Sequence, residues 1–128
     1  VKPIEPAAPE QTEQDAQNAR TINDLLQAES SRDFDAIYQY FDTNMQRYWD
    51  INYPTYSELY ERYTHIWGIT EDQEHTNVRV NKISNNTYDV LSSYSYYSLK
   101  EEKQKHLNTK TRYVFNNEGK IVQTYGLK

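Results

Sequence analysis

The last third of this chain alternates. From 87 to 100, Tyr88, Val90, Ser92, Tyr94 and Tyr96 take every second position, and Asp89, Leu91, Ser93, Ser95, Tyr97 and Leu99 take those between. Successive side chains of a strand point to opposite faces, so a period of two predicts a strand. The same pattern returns at 105–116, where Leu107, Thr109, Thr111, Tyr113 and Phe115 alternate with His106, Asn108, Lys110, Arg112 and Val114. A strand at 120–127 follows the hairpin Asn116-Asn117-Glu118-Gly119, and one at 77–83, with Val78 and Val80 on one side, leads in through the turn Ser84-Asn85-Asn86. Such a sheet needs a second layer to bury it. That second layer must come from upstream.

Upstream the period changes to that of a helix. Ala19, Ile22, Leu25 and Leu26 share one face of a helix predicted over 12–30, with Thr12 as N-cap and Asp15 three residues on. Asp33 caps a shorter helix in which Phe34, Ile37, Tyr38 and Phe41 form a stripe. A short strand is expected at 46–50. Pro54 ends it, and Thr55 with Glu58 reads as a capping box for a third helix. The stripe of that helix is Tyr56, Leu59, Tyr60, Tyr63 and Trp67, with Gly68 as its stop and an acidic loop at 69–76.

Mean hydropathy is low, −1.06. Thirteen tyrosines offset this, because each ring can bury while its hydroxyl stays wet. The 128 residues suit one domain, expected over 12–128. Residues 1–11 hold Pro3, Pro6 and Pro9 among Ala and Glu and read as a flexible linker. A tail-like start at Val1 predicts a piece of a longer precursor, tethered outside a bacterial membrane. The chain has no cysteine, so disulfides and thiolate metal sites are excluded. No apolar run is long enough to span a bilayer as a helix. A net charge of −5 disfavours nucleic acid as a partner. The lysines of the C-terminal strands fit a solvated outer sheet face and guarded strand edges.

Three stretches resemble the NTF2-like superfamily, which includes ketosteroid isomerases and SnoaL-type cyclases. They are Ser31-Arg32-Asp33-Phe34-Asp35-Ala36-Ile37, then Tyr48-Trp49-Asp50 with the helix that follows, then Tyr113-Val114-Phe115-Asn116-Asn117-Glu118-Gly119-Lys120-Ile121-Val122. The resemblance implies an α+β cone: three N-terminal helices packed in a curved sheet of four strands plus one short one, with a pocket at the wide end. It also implies that an enzyme of this kind would keep an Asp in the pocket with a Tyr or His, and that the open sheet face can form a homodimer. The faces bearing Tyr97 and Tyr113 are the candidates for that contact.

Against those parts, Asp50 with Tyr48 and His65 is the candidate acid–base set, although no carboxylate is placed by the sequence to orient His65. Asp89 alternates with Leu91; if that face is the core, the carboxylate is solvated near a strand end. His65, His75 and His106 lack ligand spacing, so no metal is expected, and no cofactor either, since no Gly-rich phosphate loop is present. Tyr38, Tyr48, Trp49, Tyr60, Tyr63, Trp67, Tyr94 and Tyr96 are the candidate walls of a ligand pocket. The expectation that follows is a non-catalytic binding domain taking a small ligand or a protein partner. A proton-transfer enzyme and a structural dimerisation module are the alternatives.

Overall fold

A computed structural model describes residues 12–127. The expected linker, 1–11, lies outside the described residues. Helix α1 spans Glu13–Ser30, α2 Phe34–Tyr38 and α3 Tyr56–Ile69. Strands β1 Arg47–Tyr48 and β2 Ile51–Asn52 are short; β3 Thr70–Ser84, β4 Thr87–Ser98, β5 Lys103–Phe115 and β6 Ile121–Gly126 are longer. All six form one sheet in the order β2-β1-β6-β5-β4-β3. Neighbours run antiparallel except β1 and β6, which are parallel.

The helices begin where local chemistry starts them. Thr12 and Asp15 form a reciprocal capping box on α1, and Thr55 and Glu58 form one on α3. Each satisfies N–H groups that a helix start leaves unpaired. Asp33 caps α2 through the Ala36 N–H. Arg32 ties the helices together: its guanidinium donates to the carbonyl oxygens of Trp67 at 2.7 Å and Thr70 at 2.5 Å. Those carbonyls lie at the end of α3, where acceptors go unmet and a cation is favoured.

One face of the sheet carries the core. Tyr88, Val90, Tyr113, Phe115 and Ile121 bury against Ile22, Leu25, Leu26, Phe34, Ile37, Leu59 and Tyr63 of the helices. The sheet curves where β3 breaks register with β4, between Glu71 and Glu74 and between Thr76 and Arg79. Asp72 and Asn77 sit at those breaks with φ of 53° each, the backbone signature of bulges that bend a strand.

Three sequence expectations need correction. The acidic loop at 69–76 is the first half of β3, pairing along the tyrosines of β4. Its polar residues suit an edge strand exposed on one side. Gly68 does not stop α3, which runs one residue past it. The single short strand is two, because the chain reverses through Trp49, whose φ is 53°.

The outer face is polar and cross-linked. Asp89 is not solvated: it is buried beneath Arg112, whose Nε and Nη2 donate to its two carboxylate oxygens at 2.8 and 3.0 Å. Arg47 in turn lies over the Tyr125 ring, 3.9 Å from its centroid. Tyr97 belongs to this face, whereas Tyr113 is buried on the other. The two therefore form no common surface.

At the start of α1, Asp15 accepts from Tyr88 Oη at 2.5 Å and from Lys82 Nζ at 2.8 Å, and Asn18 Nδ2 donates to Tyr88 at 3.0 Å. The Lys82 and Tyr88 bonds hold the Asp15 carboxyl far below the usual carboxylate range. Desolvation and the Asp15 charge push Tyr88 up to about 12. This buried cluster pins α1 to β3 and β4.

Candidate functional site

At its other end α1 borders a cavity of about 370 Å³ between the helices and the sheet. Small-molecule pockets run ~300–1,000 Å³. Leu25, Leu26 and Glu29 enter it from α1; Arg62, Tyr63, Ile66 and Trp67 from α3; Tyr48 and Trp49 from the β1 end. The sheet supplies Gln73, His75, Tyr94, Leu107, Thr109, Thr111, Tyr113 and Thr124. Trp49 and Leu107 remain 43% and 45% exposed and stand at the rim.

Glu29 is the group that the sequence reasoning missed. It lies in the last turn of α1, and its Oε2 accepts from Tyr63 Oη at 2.5 Å. Oε1 has no hydrogen-bond partner among the described residues. Burial among aromatic rings disfavours the carboxylate and pushes Glu29 up to about 7, although the Tyr63 hydrogen bond works the other way. The negative end of the α1 dipole adds to the upward push. Burial and the nearby Glu29 charge also raise Tyr63, Tyr48 and Tyr113 above the usual tyrosine range. At neutral pH these phenols stay protonated, so Tyr63 donates to the carboxyl.

The aromatic wall is continuous around this acid. Ring centroids of Tyr48 and Tyr63 lie 5.6 Å apart, and those of Tyr63 and Trp67 5.5 Å. Across the cavity His75 packs on Tyr94 at 4.7 Å, and its Nδ1 bonds Ser92 Oγ at 2.7 Å. Ser92 Oγ continues to Thr109 Oγ1 at 2.8 Å. Burial pulls His75 below its ordinary value, which leaves the imidazole neutral at pH 7. Gln73 Nε2 donates to Tyr94 Oη at 2.6 Å, and its own Oε1 is buried without a partner.

The expected acid–base set does not assemble. Asp50 has 77% of its side chain exposed and pairs with Arg62 at 2.9 Å. That hydrogen bond lowers its carboxyl further, the opposite of what a base in an apolar pocket needs. His65 is exposed on α3, away from the cavity wall. Only Tyr48 of the three lines the cavity. Of the eight aromatic candidates, Tyr48, Trp49, Tyr63, Trp67 and Tyr94 line it. Tyr38 and Tyr60 instead pack around Phe34 on the outside of α2 and α3, and Tyr96 packs on Tyr94. Among the described residues no three His, Asp or Glu side chains gather as a metal site.

No family model matches the sequence. No curated protein matches it significantly either. Solved structures do match in shape. A protein from Xanthomonas campestris pv. campestris, provisionally named a polyketide cyclase, superposes with a TM-score of 0.74 at 8% identity, covering 88% of this chain and 90% of its own. An NTF2-like protein of unknown function from Burkholderia pseudomallei K96243 gives 0.70 at 12% identity, over 87% and 89%. A protein from Shewanella denitrificans OS-217, provisionally named a SnoaL-like polyketide cyclase, gives 0.69 at 11% identity, over 86% and 88%. The chain has the NTF2-like fold, and identities this low carry the fold alone.

Proposed function

We propose that this domain binds a compact, mostly apolar molecule in the aromatic cavity and exchanges a proton with it through Glu29. The observation that carries this reading is a half-buried carboxyl group in the aromatic cavity wall, braced by the Tyr63 hydroxyl and brought near neutrality, with one oxygen unpartnered among the described residues. A general acid or base works best when its pKa lies near the working pH. His75 shares the same wall with its affinity for protons moved the other way. Two titratable groups displaced in opposite directions divide acid and base roles. Glu29 then delivers a proton and His75 receives one, or the reverse on the return step, as in isomerisation, dehydration or cyclisation of a carbonyl compound. The names given to the structural neighbours fit that reaction class.

Deuterium exchange tests it. Cyclic ketones and enones incubated with the protein in D2O should take up deuterium next to the carbonyl faster than in buffer, and Glu29→Gln should abolish the excess. A second reading, a domain that binds without turnover, is favoured by the engagement of His75 Nδ1 with Ser92. Saturable binding of those compounds without exchange would select it. Neither binding nor exchange would refute both. The extracytoplasmic, tethered setting proposed for the domain rests on the composition of residues 1–11.

A further inference from the structure

We infer that the ligand of this cavity is a small organic cation: an ammonium group bearing apolar substituents, seated with its N–H on Glu29 Oε1 and its carbon skeleton against the aromatic rings. This names the ligand class of the site proposed above and rests on the cavity being a ligand site.

Three features select a cation. First, the wall is predominantly apolar and aromatic, and the faces of Tyr and Trp rings attract positive charge. Second, Glu29 lines the cavity with its Oε1 unpartnered among the described residues, as is the neutral Gln73 Oε1 of the same lining, and a carboxylate is the natural counter-ion of an ammonium. Third, the nearby guanidinium groups are already engaged. Arg62 is held by Asp50 at 2.9 Å, and Arg32 by the carbonyls of Trp67 and Thr70. An anionic ligand would meet no unengaged cation among the described residues that line the cavity and would oppose Glu29. A neutral ligand would leave Glu29 without a counter-ion above pH 7, where its carboxyl ionises.

The charged and titratable groups around Glu29 allow this. Tyr63 and Arg62 face it from α3, Tyr48 from β1, His75 from β3, Tyr94 from β4 and Tyr113 from β5. The tyrosines and His75 are neutral at pH 7, so among the described residues lining the cavity the fixed charge opposing an ammonium is Arg62, which Asp50 offsets; Arg32, outside that lining, is held by two carbonyls. When the ammonium enters, Glu29 releases its proton to the solvent and becomes the carboxylate. Binding therefore strengthens as pH rises towards 7 and levels above it. Affinity should fall about tenfold for each pH unit below 7, since the protonated carboxyl must first be emptied.

The test uses three probes of one shape: cyclohexylammonium, cyclohexanol and cyclohexanecarboxylate. Their affinities are measured by titration calorimetry on the full chain, with Trp49 and Trp67 fluorescence as a second readout. At pH 8 cyclohexylammonium should bind at least tenfold tighter than the other two, and its affinity should fall about tenfold by pH 6 and about a hundredfold by pH 5. Glu29→Gln should bring it to the level of cyclohexanol, while Glu118→Gln on the exposed hairpin should change nothing. If that variant does not fold, the pH profile of the unaltered protein decides alone. Cyclohexanol binding as tightly as the ammonium, or a profile flat from pH 5 to 8, would overturn the cation and leave the cavity reading standing. Failure of all three probes at millimolar concentration would overturn the cavity reading as well.

Discussion

Replacing Glu29 by Gln should stabilise the protein, and only at the higher end of the pH range. Gln keeps the length of the side chain and an oxygen for the Tyr63 hydroxyl, but it cannot ionise. In the unaltered protein the carboxyl ionises near 4.5 when the chain is unfolded and near 7 when folded. The sign follows from proton binding. Between those values the folded chain holds a proton that the unfolded chain has lost, so stability declines as pH rises. The contribution is fully present below pH 4.5 and lost once pH passes 7. Each pKa unit is worth ~1.4 kcal/mol, which makes the total ~3 kcal/mol. Urea unfolding at pH 4, 6 and 8 would measure it in both proteins. Every other titrating group is shared, so the difference between the two curves isolates position 29. The extra amide N–H of Gln adds an offset of ~1 kcal/mol that does not vary with pH. With a urea slope of ~1–3 kcal/mol/M, the two midpoints should move apart by roughly 1–3 M from pH 4 to pH 8, in favour of the variant. A difference that stays constant across this range would refute the claim that burial holds Glu29 near neutrality.

Two further changes report on other parts of the structure. Asp15→Asn should cost ~1–3 kcal/mol in thermal or chemical unfolding, because a neutral amide replaces the charged acceptor of Lys82 and Tyr88. The Asp15 carboxyl is held low, so its stabilisation is present above the unfolded value near 3.8 and lost only in strong acid; the variant's deficit should persist from pH 5 to 8. Gly126→Ala places a Cβ 2.5 Å from the Trp49 ring. Trp49 is partly exposed and can swing away, so stability should change little, while Trp49 fluorescence shifts and cavity ligands lose affinity through the altered rim.

Much of this architecture is readable one segment at a time. The alternation of β4 and β5, the capping boxes at Thr12–Asp15 and Thr55–Glu58, and the apolar stripe of α1 are local signals, and they lead to the right layers. Segment 70–76 was not readable, because nothing in Glu71, Asp72 or Glu74 asks for a strand. Its conformation comes from ladder hydrogen bonds with β4, supplied by residues some twenty positions away. Glu29 was readable in part. Ile22, Leu25, Leu26 and Glu29 stand at i, i+3, i+4 and i+7, so a charged residue occupies a place in the apolar stripe. That spacing directs it inward but does not say what it meets.

The sequence by itself determined where most of the helices and strands form, because capping, alternation and helical stripes act over a few residues. It also determined an aromatic-rich interior, since the tyrosines had to bury somewhere. Only the tertiary structure decided which acid is the special one. In the sequence it is Asp50 that stands beside aromatic residues, next to Trp49, while Glu29 lies between Ala28 and Ser30; the fold leaves Asp50 in water with an arginine and sets Glu29 in the aromatic cavity wall on a phenol. A carboxyl group's readiness to hold a proton depends on the solvent and charges around it in three dimensions, and those are set by chain segments that meet only on folding.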